Sequence, residues 1–323
     1  MQKWRLASSI FVTGCTGFIG SQLTRKLVGK GESIYALVRH TTRRDYAALG
    51  DAVEDVRFIE GDLNDFHSLQ SAVEFCAPQV VVHLAALTPV RLSFDDPFPY
   101  LRVNTVGTCN LVHVLLERAP RAKLIVASSA EVYGWQPSAP IQESATLHPS
   151  SPYGVSKAAA DEYVQMAMRV YGLRGVVLRC NNTYGRSHDA QFITEYLISS
   201  MLRGGPVYVG TPSHIRDYMY ADDHVNAYLL AIQKEDGVGN VFNVSPGNPV
   251  SNIQLAMRIA ELINYKGKII QSSYPPGYPR RPSNVDTDYI VLDSSKIQME
   301  LGWKPSVTLE EGLSKTIELW KSR

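Results

Sequence analysis

Ser9-Ile-Phe-Val-Thr-Gly14-Cys-Thr-Gly17-Phe-Ile-Gly20 is the stretch on which the fold turns. Ser9 to Thr13 predicts a short buried strand, and the apolar spacing from Leu23 to Leu27 predicts a helix behind it. Glycines at such a junction permit a tight turn, let a pyrophosphate approach the backbone and bring helix and sheet close, with the anion at the helix N-terminus. The spacing is Gly-x-x-Gly-x-x-Gly rather than the commoner dinucleotide pattern. A Gly-rich turn of no chemical use is the competing reading, and the position between a strand and a helix weighs against it.

Working outward, Ser33 to Val38 predicts a second strand that ends at Arg39, with His40, Arg43 and Arg44 close behind. An acid there would grip an adenine-ribose hydroxyl, whereas an arginine accepts a 2′-phosphate, so NADP is favoured over NAD. These cations could equally decorate a surface loop. Val56 to Leu63 predicts a third strand, whose Asp62 is a candidate acceptor for the adenine amino group. The run Val80-Val-Val-His-Leu84 fits a parallel strand covered on both faces. Small residues follow it at Ala85 and Ala86, where cofactor ribose and phosphate can lie against the backbone. His83 reads as a core histidine.

A helix is expected from about 100 to 118. Its Asn104 is a candidate for bonding backbone or a catalytic water, or for a core amide. Lys123 to Ser128 predicts the fifth strand and Gly175 to Arg179 the sixth. This alternation means a Rossmann-type, doubly wound parallel α/β sheet with ligands outside the carboxyl ends of its strands. Beyond Cys180 the alternation loosens into short strands and helices at about 191–203, 222–233 and 251–264. The expected division is a dinucleotide-binding domain over 1–180 and a smaller mixed α/β substrate domain over 181–323, some of whose elements return to the first. Arg216, Arg280 and Arg281 are expected in loops of this second half, where guanidinium groups facing a cleft suit a diphosphate.

Chemistry is concentrated in Ser151-Pro-Tyr153-Gly-Val-Ser-Lys157. Spacing of four places both side chains on one helix face. A lysine ammonium there is expected to lower the phenol pKa and fit Tyr153 to take a proton from an alcohol. Alone the pair is a weak signal, since two residues on a solvated face look the same. Ser129, just past the fifth strand, can share a proton with Tyr153 or bond the substrate oxygen. Glu131 lies two residues on, where a carboxylate can remove a proton next to a carbonyl, or simply face solvent.

The chain has 323 residues, 45% hydrophobic and 20% charged, with net charge +1. That balance gives no reason to expect nucleic acid or a membrane surface as partner. No apolar run reaches the length of a span, and no secretory signal or anchor is read, so a cytoplasmic location is expected. Cys15, Cys76, Cys109 and Cys180 form no Cys-x-x-Cys pair, so reduced thiols and no metal are expected.

Together, Thr13 to Gly20, Gly61-Asp-Leu63, His83-Leu-Ala-Ala86, Ser128 to Gly134, Ser151 to Lys157, Arg216 to Asp223, Leu301-Gly-Trp-Lys-Pro305 and Leu309 to Leu313 resemble the extended short-chain dehydrogenase/reductase family, specifically its NAD(P)-dependent nucleotide-sugar epimerases and dehydratases. The resemblance implies that Tyr153 deprotonates a sugar 4-hydroxyl while hydride leaves carbon 4. It implies that Lys157 bonds the nicotinamide ribose and that Ser129 bridges phenol and sugar oxygen. Cofactor contacts are implied for Gly14, Gly17, Phe18, Ile19, Gly20, Arg39, Asp62, Leu63, Leu84, Ala85, Ala86, Asn104, Ser128, Tyr153, Lys157 and Cys180. Thr88, Asn182, Arg216 and Arg281 are the implied contacts to a nucleoside-diphosphate sugar. A homodimer through the helices near 100–118 and 152–171 is implied as well.

After oxidation at carbon 4 the family's reactions diverge. Glu131 matches the base of the NDP-hexose 4,6-dehydratases, although many of these carry an Asp as acid where this chain has Ala130. The dehydratase reading leads. A 4-epimerase follows, then a UDP-glucuronate decarboxylase or an NDP-keto-sugar reductase. A dinucleotide-sensing scaffold is the non-enzyme reading, against which the intact Ser129, Tyr153 and Lys157 stand.

Overall fold

In the computed structural model the described residues are 9–39, 46–277, 282 and 287–322. Seven parallel strands form the main sheet: β1 (Ile10–Thr13), β2 (Ile34–Val38), β3 (Val56–Glu60), β4 (Val80–His83), β5 (Lys123–Ala127), β6 (Gly175–Cys180) and β7 (Asn240–Val244). Their order across the sheet is β7-β6-β5-β4-β1-β2-β3. The chain therefore reverses direction between β1 and β4, the switch point at which doubly wound sheets bind dinucleotides. β1 and β4 are buried along their whole lengths, as expected for strands covered on both faces. Each valine of Val80-Val-Val82 contributes about 1.5–3 kcal/mol of apolar burial.

One core covers each face. Leu23, Leu27, Val225, Tyr228 and Trp303 pack on one side, and Leu69, Val73, Leu111, Leu115 and Val164 on the other. The helices that position the site are α1 (Phe18–Val28), α2 (Phe66–Cys76), α3 (Gly107–Arg118) and α4 (Pro152–Tyr171). α4 starts where the sequence dictates: Ser151 caps it, accepting the Gly154 N–H at 3.0 Å, and Pro152 occupies the first turn.

Two expectations are corrected here. The helix expected over about 100–118 is not uniform, because a π-helical turn, Leu101–Val106, precedes α3. Helical periodicity cannot distinguish the wider winding, and such turns often mark functional positions. Arg216, expected in a loop, lies in a short strand, Ile215–Arg216, beside Tyr289–Ile290 and Val250–Ser251. A third core, around Leu197, Ile198, Leu255 and Leu313, holds the helices Ile193–Leu202, Asn252–Ile263 and Leu309–Lys321. Asn240–Val244 leaves that half to complete the main sheet beside β6.

Candidate active site

At the switch point the ends of β1 and β4 touch. Gly14 has φ +80°, and a Cβ there would stand 2.6 Å from the Ala85 nitrogen. At Gly20 a Cβ would reach 2.0 Å from the Gly14 carbonyl oxygen. Any side chain at either position would fill the cradle. α1 begins after Gly17 with no side-chain cap and no acidic residue in its first turn. A backbone cradle at an uncapped, positively polarised helix end fits the diphosphate of a dinucleotide.

A hydrogen-bonded chain fixes this cradle. The Ala85 N–H donates to Thr13 Oγ1 at 3.2 Å, which pairs with His83 Nδ1 at 2.8 Å. His83 Nε2 meets Thr108 Oγ1 at 3.0 Å, and that hydroxyl gives its own proton to the Asn104 carbonyl at 2.6 Å. Thr108 having no second proton, Nε2 must donate and Nδ1 must accept from Thr13. His83 is thus a neutral core histidine, and burial pulls its pKa down to about 3.

Asn104 sits in the π turn and is buried. Its Oδ1 accepts from the Leu87 N–H at 2.8 Å, and its Nδ2 donates to the Leu87 carbonyl and to Ser156 Oγ, both at 3.0 Å. The cofactor contact expected of this residue is corrected on that ground: both amide protons are used within the protein. The amide instead clamps the loop after β4 to α4.

On α4, Tyr153 and Lys157 share one face and both are buried. The Ser129 side chain and the Glu131 carboxylate are both near enough to the Tyr153 phenol to act on it. Ser129 and Glu131 stand on the short turn after β5, where Ser129 Oγ accepts the Glu131 N–H at 3.2 Å. Tyr100 packs edge-on against Tyr153 with ring centres 6.4 Å apart. All four expected catalytic residues therefore converge.

Their electrostatics differ from the expectation. Burial pushes the Tyr153 phenol up to about 12; the Ser129 side chain opposes this and the Glu131 charge adds to it. The Lys157 ammonium is turned to the Ala127 carbonyl at the end of β5. Burial draws Lys157 down to about 8, with Asp161 and Cys180 opposing.

The other expected contacts divide. Phe18, Ile19, Leu84, Ala85 and Ala86 are half-buried around the switch point, and Arg39 is exposed at the end of β2. Asp62 Oδ1 holds the Asn64 N–H at 2.8 Å, whereas Leu63 is a core side chain against Gly107. Cys180 is buried beside Lys157 and Tyr153, and burial raises its thiol to about 12. Ser128 is corrected: its hydroxyl donates to Asp161 at 2.5 Å. Arg216 is buried and donates to the Ile215 and Thr287 carbonyls at 2.9 and 2.8 Å. These two bonds fix the guanidinium beside the short sheet. Thr88 and Asn182 are exposed. His40, Arg43, Arg44, Arg280 and Arg281 lie outside the described residues.

Sequence reading missed a buried polar group behind the catalytic turn, formed by Asp161, Arg179, Tyr133 and Asn243. Its one sequence signal was an acid four residues after Lys157. Arg186 was missed too. Its guanidinium lies 4.2 Å from the centre of the Phe18 ring and 3.8 Å from that of Phe192, joining the glycine turn to the second half. Among the described residues no cluster of His, Cys, Asp and Glu could hold a metal ion, and no helix is long and apolar enough to cross a membrane.

This sheet, cradle and Ser-Tyr-Lys centre define a nucleotide-sugar epimerase/dehydratase of the extended short-chain dehydrogenase/reductase class, and the comparisons agree. The model of the GDP-mannose 4,6 dehydratase family matches residues 11–316, and the chain belongs to that family. A probable dTDP-glucose 4,6-dehydratase of Sinorhizobium fredii is 31% identical over 96% of this chain and 91% of its own length. The UDP-glucose 4-epimerase of Thermotoga maritima, solved with UDP-glucose, superposes with a TM-score of 0.86 at 31% identity, covering 97% of this chain and 98% of its own. The dTDP-glucose 4,6-dehydratase DesIV of Streptomyces venezuelae, solved with NAD, gives 0.85 at 26% identity over 97% of both chains. The protein is an NAD(P)-dependent enzyme of the nucleotide-sugar dehydratase/epimerase type.

Proposed function

We propose that this enzyme is an NDP-hexose 4,6-dehydratase. The observation that carries the reading is the placement of Glu131 beside Tyr153, on the same turn as Ser129. Epimerisation needs a proton acceptor for the 4-hydroxyl, and a carboxylate at this position adds nothing to it. Elimination needs a second base, and the carboxylate supplies one.

Bound NAD(P) supplies the acceptor for the carbon-4 hydride, held along the Gly14–Gly20 turn and by Lys157. Tyr153, with Ser129 beside it, takes the proton of the sugar 4-hydroxyl as the carbon–oxygen bond becomes a carbonyl. That carbonyl acidifies the neighbouring carbon-5 proton, which Glu131 removes. The hydroxyl on carbon 6 leaves as water with one proton. Ala130 is buried and offers no acid, so the protonated Glu131 carboxyl returns its proton to that leaving oxygen. Return of the hydride to carbon 6 requires a proton at carbon 5, and the 4-hydroxyl proton held by Tyr153 balances it, leaving a 4-keto-6-deoxy sugar and water.

Arg39 at the end of β2 supports NADP over NAD as the resident cofactor. Leu101, Val106 and Val155 are 37, 49 and 44% exposed on the helices expected to pair in a homodimer. They form the apolar surface on which that pairing rests. The second reading, a 4-epimerase, draws support from Ala130, since epimerisation needs no acid for a leaving hydroxyl. Incubation with UDP-, GDP-, dTDP- and CDP-hexoses, with products read by mass, tests the assignment. Loss of water is expected, and an unchanged mass with altered sugar stereochemistry would replace the dehydratase by the epimerase.

A further inference from the structure

Behind the catalytic turn lies an ion pair that the reaction as described does not use. Asp161 is 1% exposed and stands one helical turn beyond Lys157 on α4. Both of its oxygens are occupied. Oδ2 accepts from Ser128 Oγ at 2.5 Å and Arg179 Nε at 2.8 Å, and Oδ1 from Arg179 Nη2 at 3.0 Å and Gln165 Nε2 at 2.7 Å. Arg179 Nη1 donates to the Tyr133 hydroxyl at 2.9 Å and the Glu143 carbonyl at 3.1 Å. Tyr133 in turn donates to Asn243 Oδ1 at 2.7 Å.

Ser129, Ala130, Glu131 and Val132 lie between Ser128 and Tyr133. One end of the catalytic turn is therefore tied to Asp161 and the other to its partner Arg179. At the same strand end, Lys157 bonds the carbonyl of Ala127, next to Ser128. A buried carboxylate and a buried guanidinium are costly unless fully paired, and this pair is anchored on β5, α4, β6 and β7 together. An apolar pair would fill the same space without fixing the turn.

We propose that Asp161 and Arg179 act as positioning residues, pinning the Ser129–Val132 turn at both ends and holding Lys157 as an ammonium against the end of β5. The turn-pinning half rests on the reading of Ser129, Glu131 and Tyr153 as the reacting centre; the Lys157 half does not. A displacement of about 1 Å at such a centre costs up to about a hundredfold in rate.

Two arms test this. In the first, Ser128→Ala and Tyr133→Phe each cut one tie and leave the ion pair. Single-turnover reduction of bound cofactor by the accepted sugar nucleotide should slow tenfold or more, with cofactor affinity unchanged. Wild-type rates in both variants would overturn the proposal. The second arm needs no substrate: the ε-carbon resonance of Lys157, assigned with Lys157→Met, is followed against pH in the wild type and in Asp161→Asn. Removing the carboxylate charge should move the titration to lower pH. The other groups facing Lys157, namely Tyr153 on α4, Cys180 on β6 and neutral His83 on β4, are left in place. An unmoved titration would overturn the proposal. If Asp161→Asn does not fold, the two hydroxyl variants decide. If no sugar reduces the cofactor of the wild type, the functional reading fails and the Lys157 titration still decides.

Discussion

The Ser129 side chain lies close enough to the Tyr153 phenol to act on it, although one residue stands just past the end of β5 and the other in the first turn of α4. The sheet brings them together, and Ser129 opposes the burial that pushes the phenol up to about 12. Replacing Tyr153 by Phe should lower turnover by about 10²–10⁴-fold. Cofactor affinity, followed by fluorescence quenching, should be unchanged, since the cradle lies at Gly14 and Ala85. A Tyr153→Phe enzyme with normal turnover would remove the phenol from the mechanism.

Glu131→Gln separates the two halves of the reaction. The variant should reduce its bound cofactor on addition of the sugar nucleotide, giving absorbance near the reduced nicotinamide band, and then stop before water leaves. Full product formation by this variant would show that another group is the carbon-5 base.

Arg39 is exposed just past the end of β2. If it meets a 2′-phosphate, a charged hydrogen bond is at stake, about 1.5–3 kcal/mol. Arg39→Ser should weaken NADP binding by about ten- to a hundredfold while leaving NAD binding nearly unchanged. Equal losses for both cofactors, measured by calorimetry, would contradict the contact.

His83 and His224 are both buried, and burial lowers each from 6.5 to about 3. In the unfolded chain each takes a proton near pH 6.5, while in the folded protein neither does until about pH 3. The unfolded state therefore binds more protons between these values, and stability must fall as pH drops through that window. Above pH 6.5 these two groups contribute no slope. Urea unfolding followed from pH 7.5 to 4 should show the midpoint steady at first and then declining. His83→Gln should lessen the decline, and a midpoint independent of pH below 6.5 would contradict the burial of these rings as neutral groups.

The sheet was legible because buried parallel strands write continuous apolar runs, as at Val80-Val-Val82, and because Gly14 and Gly20 have no room for a side chain. Convergence of Ser129, Glu131, Tyr153 and Lys157 was legible from strand and helix order. The electrostatics were not: spacing fixes the helix face of Lys157 but not that its ammonium turns to Ala127. For Asn104 the backbone-bonding reading holds and the cofactor contact does not, because an amide reads alike whether it clamps Leu87 or a ligand. Asp161 and Arg179 escaped because charges read as surface, and only the packed helix shows them to be 1 and 2% exposed.

Transient oxidation at carbon 4, followed by loss of water, is most directly tested with a sugar nucleotide deuterated at that carbon. The product should have lost water and should carry the deuterium on carbon 6, because the hydride taken from carbon 4 is returned to the carbon that water left. Deuterium still on carbon 4 of a dehydrated product would contradict oxidation there, and a deuterated epimer that has lost no water would contradict elimination.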